Sequence, residues 1–200
     1  MDTRTRIVVA AMELFALKGF NSTSVADILS RSQVNSGSLY HFFPGKQDVL
    51  IAVLEAYRDG IHEMLLAPAW QGVDDPIDRI FALLDAYRGM IVQTDTLYGC
   101  PIGSLALELH EPDPEVRDLL AANFSAWTDA VETCLDSAGG RLPRDLDRRG
   151  LAEFVLTTME GAVMQARTYR DVGHFDRAIG NLRTYFAMLG VTASGSLTRS

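Results

Sequence analysis

The feature that most constrains the fold is the recurrence of apolar residues at every third or fourth position along almost the whole chain. This spacing places them on one face of a helix, whereas no segment alternates convincingly with the period of two that is typical of a strand. Asp75-Pro76 and Asp113-Pro114 each join an N-cap residue to a proline at the first helical position. The sequence therefore predicts an all-α protein.

Caps and breakers predict where the helices begin and end. Thr23 is expected to cap the second helix and Asp145 the one that runs to about Arg170. Pro44-Gly45 and Gly139-Gly140 are expected to end two others. The predicted organisation is a small helical domain at 1–47, a larger helical domain at 48–190, and a disordered polar tail at 191–200.

Composition excludes several classes of protein. The 200 residues carry a net charge of −8, which argues against a protein that coats nucleic acid with a uniformly basic surface. Residues 1–50, however, hold five cations and only four anions. There are two cysteines, no run long enough to span a membrane and no signal-like start. We expect a reduced, cytoplasmic protein with no membrane partner.

The stretch from Val34 to Lys46 reads VNSGSLYHFFPGK and follows a short predicted helix after a break of three or four residues. Two short helices laid against a longer first one form a helix-turn-helix unit. Its second helix must approach DNA closely, so small residues at its start and hydrogen-bond donors further along suit contact with phosphates and base edges. The candidate DNA-binding residues on this argument are Ser36, Gly37, Ser38, Tyr40, His41 and Lys46.

A simpler explanation is that the rings in this stretch form the core of a small three-helix domain. We expect this role for Leu39 and Phe43, which are four residues apart and so share one helical face. Tyr40, His41 and Lys46 fall outside that stripe, which favours a role at the surface.

A family resemblance is carried by residues 15–50, which read FALKGFNSTSVADILSRSQVNSGSLYHFFPGKQDVL. They resemble the N-terminal DNA-binding domain of the TetR/AcrR family of transcriptional repressors. The later segment YGCPIGSLALEL is similar to one found in a branch of these regulators that answers lipophilic compounds. The resemblance implies that Thr23, Tyr40, His41 and Lys46 contact phosphates and that Ser36, Gly37 and Ser38 lie nearest the bases.

Two positions depart from the family pattern. Gln33 stands in the turn where many relatives have glycine, so it is either strained in a left-handed conformation or directed toward DNA. Phe42 occupies a site where histidine is frequent, and we assign no phosphate contact to it.

The predicted helix at about 146–170 is apolar on nearly all sides. Such a helix must be buried twice, against its own domain and against something else. The last helix also has a broad apolar stripe, and together they suit a four-helix interface across a twofold axis, which the resemblance also implies. The alternative is a helix central to one monomer. The candidate interface residues are Leu156, Val163, Met164 and Phe186.

Polar residues interrupt the apolar stripes of the C-terminal helices. Burying them without partners costs about 1 to 3 kcal/mol each, so they either pair with one another or line a cavity that holds a ligand. We expect the walls of such a cavity to be largely apolar, with a few hydrogen-bonding groups. The candidate ligand-binding residues are Arg88, Tyr98, Asn123, Trp127, Thr158, Met159 and Gln165.

Catalysis is not expected, because the four histidines lie in different elements and no glycine-rich phosphate loop follows a strand. No cofactor or metal is expected either. Cys100, beside the helix that Pro101 opens, is a candidate sensor thiolate or a small packed side chain.

These patterns predict a homodimeric transcriptional repressor that binds a palindromic double-stranded operator and is released by a small lipophilic effector. One alternative is a DNA-binding regulator switched by oxidation or alkylation of Cys100. Another is a helical protein-interaction module with no role on DNA.

Overall fold

The computed structural model describes residues 1–190, which form helices and turns with no β-strand among them. The predicted all-α fold is confirmed. The predicted tail at 191–200 lies outside the described residues. A π-helical turn at His62–Leu66 follows α4, and a 3-10 turn at Gly139–Arg141 follows α8. The helices are α1 (Thr3–Lys18), α2 (Val25–Ser32), α3 (Ser36–Phe42), α4 (Lys46–Ile61), α5 (Ala67–Trp70), α6 (Pro76–Gln93), α7 (Pro101–Glu108), α8 (Pro114–Ser137), α9 (Arg148–Tyr169) and α10 (Gly173–Met188).

Both Asp-Pro signals begin helices as predicted. The Asp75 carboxylate accepts hydrogen bonds from the backbone N–H groups of Ile77 and Asp78 at 2.8 and 3.1 Å. Asp113 accepts one from the N–H of Glu115 at 3.1 Å. These bonds satisfy donors that have no partner inside the helix, which is why the signal could be read locally.

Two other predicted caps were wrong by one or two positions. Ser24, not Thr23, caps α2 in a reciprocal arrangement with Asp27, because the Thr23 hydroxyl instead donates to the Gly19 carbonyl at 2.7 Å. Asp147, not Asp145, caps α9 by accepting from the N–H of Gly150. Hydrogen bonds from Lys18 and Ser24 hold the pKa of the Asp27 carboxyl well below its usual range.

The described residues pack as two compact units, Met1–Gly60 with Cys100–Phe124, and Ile61–Gly99 with residues 125–190. These units differ from the predicted division of the chain at residue 47. Apolar residues of α4 complete the core beneath α1 to α3, and residues of α7 and early α8 join the same core. A core of this kind gathers side chains from distant parts of the chain, so a packing unit need not be one continuous stretch of sequence. The division at residue 47 stays a prediction.

Each unit has its own buried core. The first is built around Ile7, Phe15, Ile28, Leu39, Val49, Leu54 and Leu105. The second includes Phe81, Leu84, Trp127, Met159, Phe175 and Phe186. Among the described residues, no helix is both long enough and apolar enough to cross a membrane.

Candidate functional site

The turn between α2 and α3 is built by local backbone chemistry. Gln33 ends α2 in the left-handed conformation, with φ of 54° and ψ of 43°, which is the first of the two alternatives for this position; contact of Gln33 with DNA stays a prediction. Asn35 caps α3 by accepting a hydrogen bond from the N–H of Ser38 at 2.8 Å. Both helices pack against α1, which is the arrangement of a helix-turn-helix unit.

The two faces of α3 differ as the sequence predicted. Leu39 and Phe43 are 0% and 3% exposed and belong to the core of the first unit. Tyr40 is 54% exposed, and its neighbour His41 is exposed as well. A buried stripe therefore fixes α3 on the unit while its other face is open to solvent.

The start of α3 adds small residues to this open face. Ser36 and Gly37 are exposed, and Ser38 is half-buried. A surface that opens on small side chains and continues with a phenol and an imidazole allows close approach of a polar partner and offers it donors. Contact of these residues with DNA stays a prediction.

The structure gives Thr23 and Lys46 different surroundings from those expected of phosphate ligands. Thr23 is 1% exposed. The Lys46 ammonium donates to the carbonyls of Phe20 and Thr23 at 2.9 and 3.0 Å and lies 4.1 Å from the centroid of the Phe20 ring. In this structure both side chains hold the turn between α1 and α2, a role that the linear order of residues did not reveal.

Arg6 was missed by the sequence argument. Its guanidinium donates to the carbonyls of Ser32 and Gln33 at 2.6 and 2.9 Å, at the C-terminal end of α2. A cation there satisfies carbonyls that the helix leaves open. Because the partners are 26 and 27 positions away, no local motif signalled the contact.

Comparison with known families agrees with this geometry. The model for bacterial regulatory proteins of the tetR family matches residues 7–53. The model for the tetracyclin repressor-like C-terminal domain matches residues 76–182, more than half of the chain. The chain belongs to the TetR family. It is therefore a transcriptional regulator with an N-terminal helix-turn-helix DNA-binding region.

Relatives of this TetR-family regulator align over most of its length. An uncharacterized HTH-type transcriptional regulator of Mycobacterium tuberculosis is 33% identical over 90% of this chain and 92% of its own. The HTH-type transcriptional repressor DhaR of Mycobacterium sp. (strain GP1) is 25% identical over 84% of each chain. The crystal structure of a regulatory protein TetR from Rhodobacter sphaeroides, 26% identical, superimposes with a TM-score of 0.79 over 88% of this chain and 95% of that one.

The candidate ligand-binding residues are divided between the two compact units of the TetR-family chain. Trp127 and Met159 lie in the core of the second unit, 4% and 0% exposed. Tyr98 and Thr158, half-buried, belong to the same unit. Asn123 belongs to the first unit, where its amide donates to the carbonyls of Leu54 and Leu119 at 3.0 and 2.9 Å. Asn123 therefore follows the alternative of structural pairing.

The prediction that Arg88 and Gln165 face the core was wrong, because both are exposed. Arg88 lies on α6 and forms a two-pronged ion pair with Asp176 on α10, at 2.7 and 3.0 Å. The hydrogen bond that the guanidinium donates to the Asp176 carboxylate raises the pKa of Arg88. The apolar residues of α6 cover a broader arc than the stripe suggested, and Arg88 falls at its edge.

Trp127 has an unusual environment. Its indole Nε1–H is buried and has no hydrogen-bond partner among the described residues. The other tryptophan, Trp70, donates its indole N–H to the Arg79 carbonyl at 2.9 Å. An unsatisfied buried donor is costly, typically about 1 to 3 kcal/mol, so the Trp127 indole is the polar group in this core that a bound acceptor would satisfy.

The predicted dimer interface needs correction at two positions. Val163 and Phe186 are 2% and 1% exposed and belong to the core of their own unit. Met164 is 52% exposed, and Leu156 is half-buried. The large apolar side chains that α9 and α10 present to solvent also include Phe154, Tyr185 and Met188, at 48%, 38% and 74% exposure.

Two of these exposed side chains are in contact with each other. The rings of Phe154 and Tyr185 pack edge to face with centroids 5.8 Å apart, which joins the outer sides of α9 and α10. We call Phe154, Met164, Tyr185 and Met188 the apolar face of these helices. The sequence correctly predicted that α9 has two apolar sides, but of its three interface candidates on this helix Val163 belongs to the inner side.

Cys100 is buried at 7% exposure and stands at the N-cap of α7. Neither it nor Cys134 forms a disulfide within the described residues. Burial raises the pKa of the neighbouring Tyr57 hydroxyl to about 12, with a contribution from Cys100. Thiol burial limits access by oxidants, so the structure favours the packed-side-chain interpretation over the sensor.

Proposed function

We propose that this TetR-family regulator is a homodimeric repressor that binds a palindromic operator through α3 and is released by a small, largely apolar effector. The observation that carries the proposal is the two-sided character of α3. Its buried residues anchor the helix, while its small and hydrogen-bonding residues remain open to solvent. The printed name of DhaR, a transcriptional repressor, supports repression as the mode of action.

The chemistry of α3 favours a duplex in which phosphates fix the position and bases supply the specificity. Ser36 and Gly37, at the first turn, have the least side-chain bulk and are assigned to the base edges. Tyr40 and His41, one turn later, are assigned to phosphate oxygens. The overall charge of −8 means that attraction to DNA must come from this local surface rather than from the whole molecule.

Removal of the Tyr40 hydroxyl should weaken operator binding. We would first enrich duplexes from a randomised pool with the full-length protein. The most enriched sequence is called the selected duplex. Tyr40→Phe is expected to bind it roughly fivefold to tenfold less tightly, because one hydrogen bond to a charged phosphate is lost. The salt dependence should stay unchanged, because no cation is removed. Fluorescence anisotropy across a salt series measures both quantities.

The matched control is Tyr169→Phe, which removes the same atom from a tyrosine that is 65% exposed on α9. Its affinity should equal that of the wild type. Ser36→Ala should instead change the order of preference among enriched sequences. Wild-type affinity in both Tyr40→Phe and His41→Ala would mean that another element contacts the backbone.

The effector site is assigned to the core around Trp127 and Met159. The unsatisfied indole N–H of Trp127 favours a ligand with a hydrogen-bond acceptor set in an apolar frame. Because Arg88 is already paired with Asp176 at the surface, a neutral acceptor fits these observations better than the anionic group that an unpaired Arg88 would have favoured.

Loss of the Trp127 indole should weaken effector binding without changing the affinity for DNA. Aromatic and polyketide-like compounds would be screened for release of the wild type from the selected duplex. For a releasing compound, Trp127→Phe should raise the calorimetric Kd roughly fivefold to tenfold, the value of one hydrogen bond. Trp70→Phe is the matched control, because the Trp70 indole already donates to Arg79.

Reciprocity provides an independent check of the same site. The selected duplex must weaken binding of the compound by the same factor by which the compound weakens DNA binding. Trp127 fluorescence, recorded in the Trp70→Phe background, follows this titration. Equal binding of a releasing compound to wild type and Trp127→Phe would place the effector elsewhere.

The dimer is assigned to the apolar face of α9 and α10. Four large apolar side chains on adjacent helices are costly to leave in water, and a second copy of the same face would cover them. A twofold dimer places its two α3 helices on successive turns of the major groove when they are about 34 to 36 Å apart. The twofold symmetry requires a palindromic operator, and the spacing sets the separation of its half-sites.

A further inference from the structure

Glu108, the last residue of α7, makes a contact that neither the helical pattern nor the family match assigns to any function. Its two carboxylate oxygens accept hydrogen bonds from the backbone N–H groups of Phe20 and Asn21, at 2.9 and 2.6 Å. These residues lie in the turn between α1 and α2 and are 88 and 87 positions away in the chain, respectively. A carboxylate that accepts two N–H groups forms charge-assisted bonds, which are about twice as strong as neutral ones.

The turn is shaped to admit this carboxylate. Gly19 has φ of 85° and ψ of 166°, a region that is essentially limited to glycine. A Cβ at this position would lie 2.7 Å from one oxygen of Glu108 and 3.0 Å from the other. Glycine is therefore required by the backbone conformation, and its lack of a Cβ leaves room for the Glu108 carboxylate.

A second side chain holds the same turn through its carbonyl groups. Lys46, the first residue of α4, donates to the carbonyls of Phe20 and Thr23 and lies over the Phe20 ring. The turn is thus bound by an anion through its N–H groups and by a cation through its C=O groups. Since Thr23 directly precedes Ser24, the cap of α2, these two contacts fix where the helix-turn-helix begins.

Glu108 belongs to one region of the protein by sequence and to another by packing. By sequence it belongs to the region that matches the C-terminal family domain, residues 76–182. By packing it belongs to the compact unit that contains α1 to α4. α7 is therefore a part of the C-terminal region that packs with the DNA-binding helices.

We propose that Glu108 is a positioning residue for operator binding: its carboxylate holds the α1–α2 turn and thereby sets the placement of α2 and α3. The inference rests on the proposed binding of DNA by α3. It makes a distinctive prediction, because removal of a negative charge from a DNA-binding unit should by electrostatics alone strengthen binding. A positioning role requires the opposite sign.

Glu108→Gln should bind the selected duplex about tenfold less tightly than the wild type, since one of the two backbone N–H groups then faces the NH2 group of the glutamine, which cannot accept a hydrogen bond. Glu111→Gln is the matched control, the same change at an exposed position in the loop after α7. It should bind as tightly as the wild type or slightly more tightly. Anisotropy would be recorded at a temperature where circular dichroism shows both variants fully folded.

Two further measurements test whether weaker binding comes from the loss of positioning, from the change of charge or from a general loss of structure. Glu108→Asp keeps the charge but shortens the side chain, and it should also weaken binding. Hydrogen exchange of the Phe20 and Asn21 amides should accelerate in both Glu108 variants, while amides in the core of α4 keep their wild-type rates. The exchange measurement needs no DNA.

The outcomes are distinct. If the wild type enriches no duplex, operator binding itself fails, and this inference fails with it. If the wild type enriches a duplex and Glu108→Gln binds it as tightly as Glu111→Gln, operator binding stands and the positioning role of Glu108 is overturned. Unchanged exchange at Phe20 and Asn21 in both variants would likewise overturn it.

Discussion

Replacement of Phe186 by alanine is expected to lower the free energy of unfolding by about 3 to 5 kcal/mol, the usual cost of deleting a buried phenylalanine ring. Phe186 is 1% exposed, and its ring packs edge to face against Phe81 with centroids 5.2 Å apart. Truncation removes this contact and leaves a cavity between α6 and α10. Urea unfolding followed by circular dichroism, at one fixed protein concentration, measures the loss.

The control for Phe186 is Val92→Ala, at a 51% exposed apolar position on α6 that lies outside the apolar face of α9 and α10. As a surface change, it should alter the free energy of unfolding by no more than about 0.5 kcal/mol. A large effect on assembly with no effect on unfolding in Phe186→Ala would contradict the core assignment. It would return Phe186 to the interface that the sequence suggested.

A charge on the apolar face is expected to separate the dimer. Met164→Glu places a carboxylate on a side chain that is 52% exposed, where a second copy would have to bury it without a partner. The variant should sediment as a folded monomer at micromolar concentration. Its affinity for the palindromic selected duplex should fall by about 100-fold or more, because the linked second half-site no longer contributes.

Thr133→Glu is the matched control, since it introduces the same charge at an exposed position on α8 of the same unit. It should leave both the sedimentation coefficient and the affinity for DNA unchanged. Sedimentation velocity and anisotropy on the same samples test the two expectations together. A Met164→Glu dimer with wild-type affinity would exclude the apolar face as the interface.

The two predictions separate roles that the helical pattern could not distinguish. Phe186→Ala should destabilise the fold, whereas Met164→Glu should leave each copy folded and prevent its pairing. Met164 and Phe186 were both candidates for the interface, yet one side chain is half exposed and the other is buried.

Local signals in the sequence determined much of the helical plan. The Asp-Pro pairs at Asp75 and Asp113 begin α6 and α8, because a cap and its N–H partners lie within three residues of each other. The glycine-like position of Gln33 is left-handed for an equally local reason. Leu39 and Phe43 were assigned to the core correctly, since a helix as short as α3 has one possible inner face.

Tertiary structure alone decided which side of each long helix is covered, and by what. Periodicity gives the angle of each side chain about the helix axis but not which elements pack against it. It therefore identified α9 as apolar on two sides without showing that Val163 is buried and Met164 exposed. Polar contacts between distant residues were likewise decided only by the tertiary structure. Arg88 meets Asp176 and Glu108 meets Phe20 across 88 positions each, because an ion pair or a carboxylate cap depends on distance in space and leaves no periodic trace in the chain.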